Sequence, residues 1–222
     1  MLEWDEWGAP LSSSGNDIVG LWFQDKDPLT CILVRPLVNE PGTSFTYSGG
    51  NMIVLGEIIR HATKMSFDDF SQEYLFEPLG IDSTEWVSRF NNGVIYTGGG
   101  LRITPRHMIK FGVTFLNGGI WEEKQIITRH WVEKSAFAYS NNTGINIPEE
   151  PSGRLGYSYS WWTKTYSKQG KKIHMYAASG WGGQHIMILP ELNTVVVFTG
   201  GNYGFGRAPF KILERFIIPA IR

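Results

Sequence analysis

An α+β fold is predicted for this chain by three observations. Up to residue 156, apolar residues recur at steps of three and four between glycine-rich bends. From residue 157 the pattern changes to short aromatic and β-branched runs divided by turns, as in an antiparallel meander. A last amphipathic segment opens at Pro209, so helices come first, strands second, and one helix closes the chain. That order argues for segregated helices and sheet, not for alternating βα units.

In residues 1 to 42, the prolines at 10, 28, 36 and 41 and the run Ser12-Ser13-Ser14-Gly15-Asn16 break any long helix. Trp4, Trp7, Trp22 and Phe23 in this stretch need apolar partners. Thr43 to Asn51 reads Thr-Ser-Phe-Thr-Tyr-Ser-Gly-Gly-Asn, with Phe45 to Tyr47 extended and a bend that puts Tyr47 and Ser48 just before a helix. Two glycines allow backbone angles that other residues avoid and leave those side chains unshielded. Met52, Leu55, Ile59 and Ala62 give the helix of about residues 51 to 63 its core-facing stripe. A plainer account makes Ser48 or Asn51 the helix cap and Tyr47 a packing residue.

Ser66 followed by Asp69 signals a second helix start, with Phe67, Phe70 and Tyr74 at helical spacing, and Pro78-Leu79-Gly80 ends it. Thr97-Gly98-Gly99-Gly100-Leu101 is a second glycine-rich bend before Thr104-Pro105, an N-cap with proline at the first helical position. Met108, Phe111, Gly112 and Phe115 form the buried face of that helix, which stops at Asn117-Gly118-Gly119. A further helix opens at Thr128, and residues 139 to 156, with Asn141-Asn142, Pro148, Pro151 and Gly153, read as a surface loop. Strands are expected near 157–164, 173–179, 184–190 and 194–200, followed by a helix whose face carries Phe210, Leu213, Phe216 and Ile217. Gly180-Trp181-Gly182-Gly183 joins two of the strands. Glycines are the usual hairpin choice, and here they also let backbone N–H groups approach a bound molecule beside Ser179.

Composition narrows the function. The 222 residues are 42% hydrophobic and 18% charged, ordinary for a globular chain with a sizeable core. Twenty basic and 21 acidic side chains leave a net charge of −1, which supplies no positive field for nucleic acid or an anionic membrane, and neither partner is expected. No apolar run is long enough to span a bilayer, and Met1-Leu2-Glu3-Trp4-Asp5 lacks the regions of a signal peptide. The lone Cys31 has no internal disulfide partner and says little about compartment, and the five histidines lack metal-ligand spacing. Neither a metal nor another cofactor is expected.

Taken together, Tyr47-Ser48-Gly49-Gly50-Asn51, Phe76-Glu77-Pro78-Leu79-Gly80-Ile81, Thr97-Gly98-Gly99-Gly100-Leu101 before Thr104-Pro105, and Ala178-Ser179-Gly180-Trp181-Gly182-Gly183-Gln184 resemble the serine β-lactamase and penicillin-binding-protein-like hydrolases, in their class C-like esterase and amidase branch. The resemblance runs in order from the first residues to the C-terminal helix. It implies a β-lactamase/transpeptidase-like fold in one domain over residues 1–222, with 1–156 mainly helix and loop and 157–222 antiparallel sheet plus C-terminal helix. It implies acyl transfer from a small ester or amide through a serine acyl-enzyme. Tyr47 would shuttle the nucleophile's proton and later protonate the leaving group, with Ser48 and Gly49 on the same element. Ser179, Gly180, Trp181, Gly182 and Gly183 would fall on the family's Lys-Thr-Gly-like strand, the Trp181 N–H serving as an oxyanion donor.

The sequence departs from the family in three places. Gly49 stands where many relatives carry a substrate-orienting asparagine, and Ala178 where they carry lysine or histidine. Both losses favour substrates without a carboxylate. No serine is followed three residues later by lysine: Ser12 meets Gly15, Ser48 meets Asn51, Ser66 meets Asp69, Ser167 meets Gly170. The resemblance therefore implies an incomplete domain that lacks the nucleophile element and the first strands, inactive alone, with an exposed sheet edge open to association. Two other readings compete. One is a non-catalytic remnant that binds a ligand or partner. The other is an α/β-hydrolase elbow on Ser48, although Thr46 stands where that motif needs glycine.

Overall fold

The computed structural model describes residues 1–24, 26–139, 142–148, 153–203 and 208–221. The chain divides into two compact units, Met1–Ile103 and Thr104–Arg222. No helix among the described residues is long and apolar enough to cross a membrane.

The first unit is built from short helices tied by polar caps. Asn16, fully buried, donates through Nδ2 to the carbonyls of Glu6 (2.9 Å) and Ala9 (2.8 Å). Its side-chain oxygen also caps α1 (Asp17–Gly20). Asp27 caps α2 (Pro28–Leu33), with proline at the first turn. Trp4, Ile18, Leu21, Cys31, Ile32, Ile53 and Phe90 form the core of this unit. Trp4 is thus provided for, and Trp22 stacks on Phe90 at 4.4 Å, whereas Phe23 is exposed.

Helix α3 (Gly50–Thr63) appears where the periodicity put it, but turned on its axis. Its buried residues are Gly50, Ile53, Gly56 and Glu57, while Leu55 and Ala62 are exposed and Met52 and Ile59 only half-buried. The reason is steric: Gly50 lies against the Trp4 ring, and a Cβ on Gly56 would come within 2.6 Å of the Thr97 methyl. Glycines on the inner face bring the backbone close to its neighbours, so the larger apolar side chains are left outside. Ser66 caps α4 (Phe67–Ser71), which continues through a wider turn, Gln72–Phe76, and buries Phe76 and Leu79 while Tyr74 stays exposed. Strands β1 (Thr84–Trp86) and β2 (Leu101–Ile103) pair antiparallel.

The second unit begins with α5 (Pro105–Leu116), capped by Thr104 and buried along Met108, Gly112, Thr114 and Phe115, with Phe111 half-buried. A small hairpin, β3 (Ile120–Trp121) and β4 (Lys124–Gln125), precedes α6 (Arg129–Ser135), which Thr128 caps. The sheet has five strands in sequential order, β5 (Gly156–Ser158), β6 (Trp161–Lys168), β7 (Lys171–Gly180), β8 (Gln184–Leu189) and β9 (Thr194–Phe198). Every pairing is antiparallel, which conflicts with the mostly parallel sheet of the elbow reading. The single strand expected over 157–164 is two, folded at Tyr159 and Ser160, both with positive φ. Such turns normally advertise themselves with Asn or Gly, and this one does not.

Helix α5 packs on one sheet face, where a Cβ on Gly112 would come within 2.4 Å of Val195. Phe115, Val132, Ala136, Tyr176 and Ile188 form the core there. The C-terminal helix begins as α7 (Pro209–Ile212), widens through Leu213–Ile217 and ends as α8 (Ile218–Ala220). It lies against the other face, with Phe210 edge-on to His185 (5.3 Å) and Lys164 facing Glu214 (3.8 Å). Its buried residues are Pro209, Phe210, Leu213 and Ile218, and Phe216 points outward. The π-type widening shifts the inward position from Phe216 to Ile218. In the expected surface loop, Ile147 and Leu155 are buried, and Ile145 bridges Leu155, while Asn141 and Pro151 lie outside the described residues.

Candidate active site

The Tyr47 bend belongs to the first unit. Tyr47 is half-buried and stacks on Trp7, ring centroids 5.2 Å apart and planes 11° from parallel. Gly49, not Ser48, occupies the N-cap position of α3, with an ordinary right-handed φ of −64°. The glycines here are needed for space and not for unusual angles. A Cβ on Gly49 would come within 3.1 Å of the Glu6 carboxylate and of Ile18, and one on Gly50 within 2.8 Å of Trp4. Glu6 organises this corner: its Oε2 accepts from the Gly49 N–H (2.6 Å) and from Trp4 Nε1 (2.9 Å). Tyr96 sits in the same field, its hydroxyl pushed well above the usual range by burial and then by the charge of Glu6. In the second glycine bend, Thr97 donates its hydroxyl to the Met52 carbonyl of α3.

Burial raises the Glu6 carboxyl above its ordinary value of 4.5, against the downward pull of the Gly49 and Trp4 bonds, and the charge of Asp17 adds to the rise. Between 4.5 and the raised folded value, the native state holds more protons than the unfolded chain. Stability therefore falls as pH rises through that window; the penalty is absent below it and complete above it. Glu6→Gln should remove this part of the pH dependence, since one Gln oxygen can accept both bonds. Urea unfolding at intervals from about pH 4 to pH 8 checks it, and superimposable profiles for the two proteins would assign the dependence elsewhere.

The glycine turn belongs to the second unit. Residues 181–183 connect β7 to β8, and Gly182 and Gly183 have φ of +98° and +97°, a conformation that glycine adopts without strain. The turn is fastened to the segment after β9: the Asn202 N–H donates to the Gly182 carbonyl (3.0 Å), and Gln184 Nε2 to the Gly200 carbonyl. Ser179 pairs across the strands with His185, and Oγ lies 3.0 Å from Nδ1. His185 is 1% exposed and packs edge-on against Phe198 and Phe210. Trp181 is 52% exposed, its ring 4.6 Å from that of Tyr203.

Tyr47, Ser48 and Gly49 therefore share one corner of the first unit, and Ser179 to Gly183 one hairpin of the second. Glu6, Tyr96, His185 and Tyr203 were not singled out from the sequence. His185 could have been, because a three-residue turn at 181–183 places it opposite Ser179 by register. A separate cleft of about 560 Å³ in the first unit is lined by Glu57, Arg60, His61 and Arg89 among others, and neither Tyr47 nor Ser48 lines it. Among the described residues, no group of three or more His, Cys, Asp or Glu is placed to hold a metal ion.

The profile of the beta-lactamase family matches residues 19–208, a span that includes both the Tyr47 bend and the glycine turn. The chain belongs to the beta-lactamase family. It is 25% identical over 179 residues to a 6-aminohexanoate-dimer hydrolase of Paenarthrobacter ureafaciens, a match covering 78% of this chain and 44% of that protein. A Bacillus anthracis structure classed with 6-aminohexanoate-dimer hydrolases superposes with a TM-score of 0.76 at 22% identity, over 98% of this chain and 57% of that one. A D-stereospecific amidohydrolase from a Streptomyces species gives a TM-score of 0.66 at 14% identity, over 98% and 69% of the two chains. The chain thus spans about half the length of the hydrolases of the first two comparisons. The superpositions on the Bacillus and Streptomyces structures bear out the expected β-lactamase/transpeptidase-like architecture, helices with an antiparallel sheet.

Proposed function

We propose that this beta-lactamase family chain carries the tyrosine element and the glycine-turn element of a serine hydrolase that cleaves small amides or esters through an acyl-enzyme. The observation that carries the reading is the family match over residues 19–208, which takes in both elements. The nucleophilic serine and its lysine are supplied by sequence outside these 222 residues, since no serine here has a lysine three positions on. In the reaction, the serine oxygen adds to the substrate carbonyl while its proton passes to the neutral lysine amine, which can then return a proton to Tyr47 as Tyr47 gives its own to the leaving group. The negative oxygen is held by N–H donors, Trp181 among them. Collapse expels the amine or alcohol, which takes a proton from Tyr47, and water then releases the acyl group by the reverse sequence. The names of the relatives favour amide bonds, and Ala178 and Gly49 favour substrates with no carboxylate at the scissile end.

The test is complementation. The chain mixed with an N-terminal fragment bearing Ser-x-x-Lys from a relative should hydrolyse nitroanilides of small acyl groups, and a folded mixture without turnover above background would overturn the reading. The lack of Ser-x-x-Lys also favours a second account, a non-catalytic binding remnant, which predicts ligand binding without turnover in that mixture.

Partners follow from the same proposal: a small-molecule ester or amide, with neither nucleic acid nor membrane. Association through the sheet edge is part of it. Tyr139 and Asn142 bond to Tyr157 and cover the outer side of β5, whereas among the described residues β9 pairs with β8 alone. Thr194–Phe198 reads Thr-Val-Val-Val-Phe, apolar and uncharged, the kind of edge that pairs with another chain. Light scattering on the purified chain should show oligomers that a Val196→Lys substitution reduces, and a wild-type monomer at every concentration would remove the edge from the proposal.

A further inference from the structure

Two large aromatic side chains stand more than half exposed at the glycine turn, Trp181 at 52% and Tyr203 at 54%. Their ring centroids are 4.6 Å apart and their planes tilted by 55°. The pair is held in place from below: Asn202, next to Tyr203, donates to the Gly182 carbonyl, and Gly182 lies so close that an added Cβ would come within 2.5 Å of Tyr203 Cε1. Rings fixed in this way lose little further freedom when a ligand covers them, and aromatic faces contribute much contact area per side chain.

The surroundings specify the ligand's chemistry. No Asp, Glu, Lys or Arg occurs from Ala177 to Pro190, or from Thr194 to Tyr203. An ionised group pressed against these rings would be desolvated with no countercharge from either segment. We infer that Trp181 and Tyr203 form the wall of a subsite for an uncharged apolar part of the substrate, an aromatic ring or alkyl chain flanking the scissile bond. The inference rests on the hydrolase proposal, in which the Trp181 N–H faces the acyl oxygen and the Trp181 ring therefore borders the bound substrate.

The experiment uses the chain itself, labelled with 5-fluorotryptophan, with the Trp181 fluorine resonance assigned through Trp181→Phe. Titration with 3-phenylpropanamide should shift that resonance. Affinity should fall about fivefold in Tyr203→Ala, in line with the usual strength of an aromatic pair, and hold in Tyr203→Phe, which keeps the ring. The carboxylate analogue 3-phenylpropanoate should bind about fivefold more weakly than the amide. An unmoved Trp181 resonance, unchanged affinity in Tyr203→Ala, or equal binding of amide and carboxylate would each overturn the subsite. Turnover by the complemented domain with a silent Trp181 resonance would keep the hydrolase proposal and remove the subsite. Amide binding at Trp181 in a folded complemented domain that shows no turnover would keep the ring pair as a binding site and remove the hydrolase proposal.

Discussion

Incubated with a fluorophosphonate probe and with a labelled penicillin, the purified chain is expected to keep its unmodified mass. Covalent catalysis of the proposed kind needs a serine whose proton is taken by a lysine one helical turn later, and an ordinary hydroxyl is a poor nucleophile at neutral pH. In the proposed mechanism Tyr47 works together with that lysine and not in its place. One serine does have an imidazole next to it. Ser179 Oγ lies 3.0 Å from His185 Nδ1, the ring being buried and edge-on to Phe198 and Phe210, but this serine stands on a strand and not one turn before a lysine on a helix. On the proposed reading the oxyanion donor that the nucleophile contributes lies outside these residues as well, and the loss of one such donor typically costs about a hundredfold. Intact-mass measurement decides the matter: a stoichiometric adduct on Ser48 or Ser179 would show that this sequence contains its own nucleophile.

What was legible in the sequence and what was not differ for physical reasons. Thr104-Pro105, Ser66 and Thr128 are legible as helix starts because a cap is a local interaction between a side chain and the next turn's N–H. The Gly180 to Gly183 turn was readable for the same reason, since positive φ selects glycine directly. The inner face of α3 was not, because glycine carries no hydrophobic signal. Gly50 and Gly56 are inside only because Trp4 and Thr97, distant in sequence, occupy the space beside them. The outward position of Phe216 is not legible either, because no local signal marks the widened turn at Leu213–Ile217. In the candidate site, Tyr47 and the glycine turn stood out by motif. Glu6 did not, although it binds the Gly49 N–H across 43 positions of sequence, a contact that only the folded chain reveals.

In the complemented domain, Tyr47→Phe is expected to lower amide hydrolysis by about two orders of magnitude or more, the usual contribution of a positioned acid–base group. The substitution removes only the hydroxyl. The ring stacked on Trp7 at 5.2 Å and the Glu6 bond to Gly49 are kept, and unfolding midpoints measured beside the rates separate a loss of chemistry from a loss of fold. The leaving group sharpens the test. An amine cannot depart as its anion and needs a proton at the moment the C–N bond breaks, whereas nitrophenolate leaves without one. If Tyr47 supplies that proton, Tyr47→Phe will depress kcat for an amide far more than for a nitrophenyl ester of the same acyl group. An equal loss on both substrates would place the tyrosine in activation of the nucleophile alone, and an unchanged amide rate would remove it from proton transfer altogether.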